Sequence, residues 1–199
     1  MKKLIAATLS GLALMASAHA ATNVAQGGFV LLNGPDFGYV APAWGPGVLA
    51  AGSTITDGTF LDQHHQWNLG TVFWGAAQTP TSSILIVLSQ LYSVNTIVLQ
   101  ADNNDDYKIQ YHGADHLWHD LVTVSPPDSY GMDTVTATLG SSVMADGFMI
   151  TGANGDNLYA VSEFQAMNAP VPEPEGYAML GVGLAAVGLI ARRRKNRAA

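Results

Sequence analysis

Three histidines lie within the segment YHGADHLWHDL, at positions His112, His116 and His119. Three imidazole side chains are enough to hold a zinc ion, and on a helix this spacing of four and three residues would align them. Gly113 and the alternating sequence YKIQY before it favour instead a strand, a turn and a second strand. On strands His112 and His119 need not face one another, and the glutamate of the H-E-x-x-H zinc motif is absent. We therefore expect solvated hairpin histidines, with a zinc-dependent hydrolase as the alternative.

Trp118 stands in the same polar segment, between His116 and His119. Exposed aromatic rings stack on the apolar faces of sugars, while neighbouring polar side chains hydrogen-bond the hydroxyl groups. Trp118, His116 and His119 are therefore the predicted ligand-binding residues, and burial of the indole ring is the alternative. Trp67 and Trp74 lie close to or within the apolar strand segment LGTVFW, residues 69–74, and we expect both of them in the core.

Oxygen ligands of the kind that calcium prefers are concentrated in the acidic turn ADNNDD, residues 101–106. The turn lacks the spacing and the final glutamate of an EF-hand loop, so we predict a solvated hairpin turn in which Asp and Asn favour tight backbone geometry. Paired carboxylates for glycoside hydrolysis stay open, because their separation is a three-dimensional quantity. The chain has no cysteine and no G-x-S-x-G nucleophile elbow. On balance we do not expect an enzyme.

The charge of the chain is unevenly distributed. Seven of the eight lysines and arginines lie in the first three or the last eight residues, and Lys108 is the one basic side chain between residues 21 and 168. Thirteen acidic side chains oppose it there, which gives this region a formal charge of −12. Such a surface repels nucleic-acid phosphates, so we expect cations or neutral ligands and no nucleic acid. Without cysteine no disulfide can hold the fold, and stability must come from a packed core, with or without a metal ion.

Short apolar and β-branched segments recur between turn residues in the region 21–168. They are FVLLN, ILIVL, VNTIVLQ, YKIQYH, LVTV, TVTATL, FMITG and YAVSEFQAM. Alternation such as that in YKIQY has the period of a half-buried strand, and no long stretch keeps the 3.6-residue period of a helix. Turns rich in glycine, proline and asparagine separate the segments at fairly even spacing. The pattern predicts an all-β domain, an antiparallel β-sandwich of the jelly-roll kind.

Both ends of the chain are predicted to be targeting segments outside this domain. Residues 1–20 combine two lysines, an apolar stretch and an A-x-A site, which predicts a signal peptide cleaved after Ala20. Residues 169–176 form a Pro-Glu-Pro hinge, residues 177–191 a hydrophobic transmembrane helix and residues 192–199 a basic cytoplasmic tail. That helix reaches only about 22 Å, so its span depends on basic side chains that extend to the lipid headgroups.

The closing sequence VPEPEGYAMLGVGLAAVGLIARRRK resembles the PEP-CTERM sorting signal of exopolysaccharide-producing Gram-negative bacteria. By that resemblance the chain is a substrate of an exosortase-type membrane processing enzyme. The sorting motif then consists of Pro172, Glu173, Pro174, Arg192, Arg193 and Arg194. The resemblance implies export, an inner-membrane intermediate, and delivery to the cell surface or the extracellular matrix. A plain single-span anchor is the alternative.

A second resemblance is carried by four segments of residues 55–167. They are TDGTFLDQHHQWNLGTVFW, VNTIVLQADNNDDYKIQYH, WHDL and GFMITGANGDNLYAVSEFQAM. Together they resemble the galactose-binding-like jelly roll, the discoidin or F5/8 type C module, in its bacterial form without the paired cysteines. Modules of this kind often hold a structural calcium ion between an early Asp-Gly loop and an acid of the last strand. The resemblance thus implies Asp57 and Glu163 as calcium ligands.

These features together predict a secreted surface or matrix protein with a polysaccharide-binding or matrix-structural role, whose partners include exopolysaccharide. One alternative is a metal-dependent or carboxylate-based hydrolase on the same scaffold. Another is a purely structural matrix component that binds no small ligand.

Overall fold

The computed structural model describes residues 21–75, 81–126, 130–168 and 183–184. The chain divides into two compact units, Ala21–Ala169 and a second unit that combines Met1–Ala20 with Pro170–Ala199. The predicted signal peptide, hinge, basic tail and sorting motif lie outside the described residues, as does the predicted transmembrane helix apart from positions 183 and 184. Within the described part of the chain, no helix is long and apolar enough to cross a membrane.

Eight strands build the domain. They are β1 (Phe29–Asn33), β2 (Val48–Leu49), β3 (Leu69–Gly75), β4 (Ser83–Asp102), β5 (Asp106–Gly113), β6 (Trp118–Val124), β7 (Met132–Asn154) and β8 (Leu158–Asn168). Two short 3-10 helices, Pro42–Trp44 and Gly52–Thr56, lie before β3. The predicted strand segments all fall within these strands.

Strands β4 and β7 are 20 and 23 residues long and pair antiparallel with each other. Their register shifts between Val87 and Tyr92 and again between Val94 and Thr96. Residues 83–87 of β4 pair with residues 147–151 of β7, and after the shifts residues 96–102 of β4 pair with residues 132–138 of β7. Such irregularities bend a strand and increase its twist without ending it. Each long strand therefore contributes to both layers of a sandwich.

The first layer has the strand order β1-β4-β7-β5-β6, and the second has the order β2-β3-β8-β4-β7. Among the described strands every pairing is antiparallel except that of β2 with β3. The predicted antiparallel β-sandwich is confirmed. The structure differs from the prediction in the number of strands. The segments ILIVL and VNTIVLQ both belong to β4, and the segments TVTATL and FMITG both belong to β7. Register shifts and not turns connect the two segments of each strand.

Aromatic side chains fill much of the space between the layers. Trp74 is fully buried, stacks on Tyr159 with ring centroids 5.5 Å apart and meets Tyr107 edge to face at 6.2 Å. The buried Tyr107 hydroxyl donates to the carbonyl of Ala160 and accepts from its amide N–H, so its polar atom is satisfied. Trp67 lies in a smaller buried cluster. Both tryptophans are in the core, as predicted.

Candidate functional site

The hairpin of β5 and β6 has the predicted strand, turn and strand. Strand β5 ends at Gly113, whose amide N–H donates to the carbonyl of Leu117 at 2.9 Å and closes the turn. His116 occupies the turn with a φ of 62°, a left-handed conformation that few non-glycine residues adopt. Strand β6 then begins at Trp118. The hairpin therefore fixes which face of the first layer each of its aromatic side chains takes.

One row of paired residues crosses all five strands of the first layer. Phe29 pairs with Val87, Val87 with Gly147, Gly147 with His112, and His112 with Trp118. Residues directly opposite each other on neighbouring strands project from the same face of a sheet. Phe29 and Trp118 at the two ends of the row are 68% and 42% exposed, so this is the outer face.

A groove of about 460 Å³ follows this row, and we call it the Trp118 groove. Its lining includes Phe29, Leu31, Val87, Leu91, His112 and Trp118. Gly147 lies in the middle, and a Cβ atom there would stand 3.7 Å from the His112 Cβ and 3.8 Å from the Trp118 ring. Because glycine has no side chain, the space between the imidazole and the indole stays open.

The polar part of the Trp118 groove is a pair formed by His112 and Asp146. The Nδ1 atom of His112 lies 2.6 Å from Oδ1 of Asp146, a strong, charge-assisted hydrogen bond. The His112 ring centroid is 5.2 Å from that of Trp118 and 6.0 Å from that of His116. An exposed indole beside a carboxylate-bound imidazole offers a stacking surface and hydrogen-bonding atoms to a small ligand.

The structure brings the predicted ligand residues only partly together. Trp118 and His116 both lie near His112, whereas His119 projects from the opposite face because it pairs with Tyr111. The His119 ring stacks on Tyr111 at 5.1 Å, and its Nε2 bonds to the Asp115 carboxylate at 2.9 Å. The three histidines therefore do not converge, and the described residues contain no group of three or more His, Cys, Asp or Glu side chains that could hold a metal ion.

The sequence analysis missed His112, Asp146 and the apolar wall as one site. Asp146 is 34 positions from His112, and only the register of β5 with β7 brings them together. The apolar wall had a detectable signal. In FVLLN only Val30 and Leu32 face the core, yet the outward Phe29 is apolar too. An ordinary half-buried strand alternates, so continuous apolar character indicates a second apolar face.

Glu163 and Asp57, the predicted calcium ligands, lie close enough to interact. Glu163 is fully buried, its Oε1 accepts from the side-chain Nε2 of Gln165 at 3.2 Å, and its Oε2 has no hydrogen-bond partner. Burial raises the pKa of Glu163 to about 7, and the negative charge of Asp57 adds to that rise. Asp57 is exposed, and its Oδ1 accepts from the Thr59 amide at 2.7 Å. An unpartnered buried carboxylate oxygen fits the oxygen coordination of calcium.

The acidic turn between β4 and β5 is buried, and the predicted solvated turn is wrong. Asp102 and Asp105 are 5% and 3% exposed. The loop between β7 and β8 covers them, and the amide of Asp156 in that loop donates to Oδ1 of Asp105 at 3.2 Å. Burial raises the pKa of Asp105 to about 8 and that of Asp102 to about 7, and the Asp156 charge contributes to both shifts. Composition alone does not distinguish a solvated acidic turn from one that a distant loop covers.

Comparison with known protein families assigns the C-terminal region. Residues 170–195 match the model of the PEP-CTERM protein-sorting motif. The chain carries a PEP-CTERM sorting signal. The matched residues include the whole predicted sorting motif, so the first resemblance is confirmed. No curated protein sequence matches the chain.

Comparison with solved structures assigns the fold of this PEP-CTERM chain. The family 32 carbohydrate-binding module of Streptococcus pneumoniae EndoD superposes with a TM-score of 0.51 and 16% identity, over 74% of this chain and 100% of the module. The family 32 module of C. perfringens NanJ, in complex with galactose, gives 0.51 and 14% identity, over 75% and 100%. A mutant lectin-binding domain of lectinolysin complexed with Lewis b gives 0.51 and 10% identity, over 75% and 98%. The predicted galactose-binding-like β-sandwich is confirmed.

The buried acidic turn predicts an unusual dependence of stability on pH. A carboxyl whose pKa is higher in the folded state than its ordinary 3.8 holds its proton more tightly when folded. The stabilisation of the folded state by each such carboxyl is therefore fully present at low pH. The free energy of unfolding falls as the pH rises from about 4 towards about 8, because the unfolded chain then loses protons that the folded state retains. We expect a loss on the order of a few kcal/mol over this interval, measured by urea unfolding in chelator-containing buffers.

Replacing Asp105 tests the origin of this loss. The variant Asp105→Asn cannot ionise, so its free energy of unfolding should fall less steeply over the same pH interval. The variant Asp62→Asn removes an exposed carboxylate and should leave the wild-type slope unchanged. A wild-type stability that rises over this interval would show that the buried turn does not dominate the titration.

Proposed function

We propose that this protein is exported, processed at its PEP-CTERM signal by an exosortase-type enzyme, and placed at the cell surface or in the extracellular matrix, where it binds polysaccharide. The sorting signal and the galactose-binding-like fold support the proposal. The solved neighbours are described as carbohydrate-binding modules and a lectin-binding domain, which favours a binding module over a hydrolase. Their identities of 10–16% concern the fold alone, so the sugar must be inferred from this chain's own residues.

The observation that carries the binding role is the Trp118 groove. Its volume falls within the range of about 300–1,000 Å³ that is usual for small-ligand sites. One face of a pyranose ring is apolar and would pack on the Trp118 indole, while its hydroxyl groups would bond to His112 and Asp146. The row of paired strands holds these side chains on rigid β-structure, so little ordering is needed when a ligand binds.

Replacing Trp118 tests this role. We expect Trp118→Ala to weaken binding of the purified domain to its host's polysaccharide about tenfold or more, because the stacking surface is lost. The matched control is Trp44→Ala, which removes another exposed tryptophan, 47% accessible, that does not line the groove. Binding would be measured by isothermal titration calorimetry, with denaturant unfolding to confirm that both variants fold.

The outcomes of this comparison separate three roles. Equal polysaccharide binding by the wild-type protein and Trp118→Ala would show that the binding site lies outside the Trp118 groove. Concentration-dependent self-association that Trp118→Ala abolishes, without glycan binding, would favour a structural matrix role for the same surface. Loss of binding in both tryptophan variants would indicate an effect that is not specific to the groove.

Processing is tested on the sorting motif itself. We expect the protein isolated from its own host to lack the C-terminal tail, and a variant with alanines at Pro172, Glu173 and Pro174 to keep it and stay in the membrane fraction. The measurement is intact mass together with cell fractionation. Alanines at Asn154 and Asp156, which lie outside residues 170–195, provide a control that should still be processed. An uncleaved tail in the wild type would show that the C-terminal segment is a plain single-span anchor.

A structural calcium ion at Glu163 and Asp57 is part of the proposal. Glu163 would supply its unpartnered Oε2, and Asp57 on the early loop would bring a second carboxylate, with backbone carbonyls completing the site. When bound, the ion would neutralise two repelling carboxylates and tie the loop to β8. Both residues would then act on stability and not on ligand contact.

Calcium binding should appear as thermal stabilisation. Saturating calcium at about a hundred times its dissociation constant adds about 2.7 kcal/mol to the free energy of unfolding, which for a domain of this size raises Tm by about 5–10 °C. We expect the Tm increase in the wild type and in Asp105→Asn, but not in Glu163→Gln, measured by calorimetry with calcium or chelator. An unchanged wild-type Tm would contradict the calcium site, and an increase that persists in Glu163→Gln would place the ion elsewhere.

A further inference from the structure

The polar pair of the Trp118 groove, His112 and Asp146, presents mainly hydrogen-bond acceptors to a ligand. The Nδ1–H of His112 is directed to Oδ1 of Asp146, so the second carboxylate oxygen and, on a neutral ring, Nε2 remain to accept. Ser89 and Gln90 are the other polar side chains that line the groove, and neither carries a charge. At the His112–Asp146 pair, a ligand group that donates hydrogen bonds is therefore favoured.

The charge around the groove has one sign. Asp146 is the one carboxylate among the lining residues, and no lysine or arginine lines the groove. Lys108 is the one basic side chain of residues 21–168 and lies 2.8 Å from Asp120, to which it is ion-paired. No lysine or arginine is thus placed to receive a uronate, sulfate or phosphate group. The region's formal charge of −12 further disfavours an anionic glycan.

Trp118 contributes to the same selectivity. The face of an indole ring carries a partial negative charge and attracts cations as well as the apolar face of a sugar. Asp146 has a side chain that is 34% exposed, so a bound ammonium group could reach it without deep burial. The two residues together match a sugar ring that carries a positively charged amino group.

We propose that the Trp118 groove selects glycans with free amino groups, whose ammonium group pairs with Asp146 while the sugar ring stacks on Trp118. This inference rests on the proposed function of the groove as a glycan site. Neutral sugars bind by stacking alone and more weakly, and anionic sugars are excluded. The selectivity comes from this chain's own residues and requires no metal ion.

The experiment compares short oligomers of β-1,4-linked glucosamine, β-1,4-linked N-acetylglucosamine and α-1,4-linked galacturonic acid, in mildly acidic buffer that keeps the glucosamine amino groups protonated and at physiological salt. The first two differ only in the acetyl group that removes the positive charge. We expect the glucosamine oligomer to bind about tenfold more tightly than its acetylated counterpart, as one charge-assisted hydrogen bond predicts. The galacturonic acid oligomer should bind least. Titration calorimetry supplies the three affinities.

Two charge-matched variants assign the preference to Asp146. The variant Asp146→Asn keeps an oxygen that accepts from His112, and it should lose the tenfold preference while still binding the acetylated oligomer. Asp62→Asn removes the same charge from an exposed loop outside the groove and should keep the preference. A preference that persists in Asp146→Asn as well as in Asp62→Asn would reflect general attraction to an acidic protein and would overturn the inference.

The remaining outcomes separate this inference from the function on which it rests. Binding of the acetylated or anionic oligomer that is equal or tighter, and is lost in Trp118→Ala, would overturn the amino-sugar preference and leave the glycan-binding groove intact. Absence of binding to all three oligomers and to the host's polysaccharide would overturn both.

Discussion

The pairing of β4 with β7 is the constraint on which the rest of the structure depends. These two strands pass through both layers, and their register shifts between Val87 and Tyr92 set where one layer ends and the other begins. The same register places Gly147 opposite Val87 and so aligns β1 with β5 and β6 through the middle of the sheet. With no cysteine in the chain, this ladder and the aromatic core hold the fold together without a covalent link. The Trp118 groove is a direct product of that alignment.

Buried acids are a second consequence of the composition. A buried carboxylate is stable when it is paired with a cation, coordinates a metal or keeps its proton. The region has a single lysine, which is already paired with Asp120, so Asp102, Asp105 and Glu163 depend on the other two solutions. Asp105 is bonded to the amide of a covering loop and holds its proton up to about pH 8. Glu163, like Asp105, keeps one oxygen without a hydrogen-bond partner, and burial raises its pKa to about 7.

Local sequence patterns predicted the strands and the fold class, because alternation and turn residues act over a few positions. The β5–β6 hairpin followed from Gly113 and the alternation before it, and the burial of Trp74 followed from its apolar neighbours Val72 and Phe73. The groove could not be predicted in the same way, because Asp146 and His112 are 34 positions apart in the sequence and only the register of β5 with β7 brings them together. The burial of the acidic turn was missed for the same reason, since the loop that covers Asp105 is 51 positions away. Sequence therefore indicated which residues could do chemistry, and only the strand register showed which of them meet.

The sign of the charge links the exported domain to the class of ligand that it can hold. A groove that is otherwise apolar gains specificity from very few polar atoms, because each unpaired polar atom of a wrong ligand loses its hydration without compensation. Here the decisive atoms are a carboxylate and an imidazole oriented by it, and no lysine or arginine lines the groove. An anionic sugar would bring its charge against Asp146, whereas a cationic one would relieve the repulsion among the thirteen acids of the domain. The proposed selectivity thus arises as much from the absence of lysine and arginine in the groove as from the residues that line it.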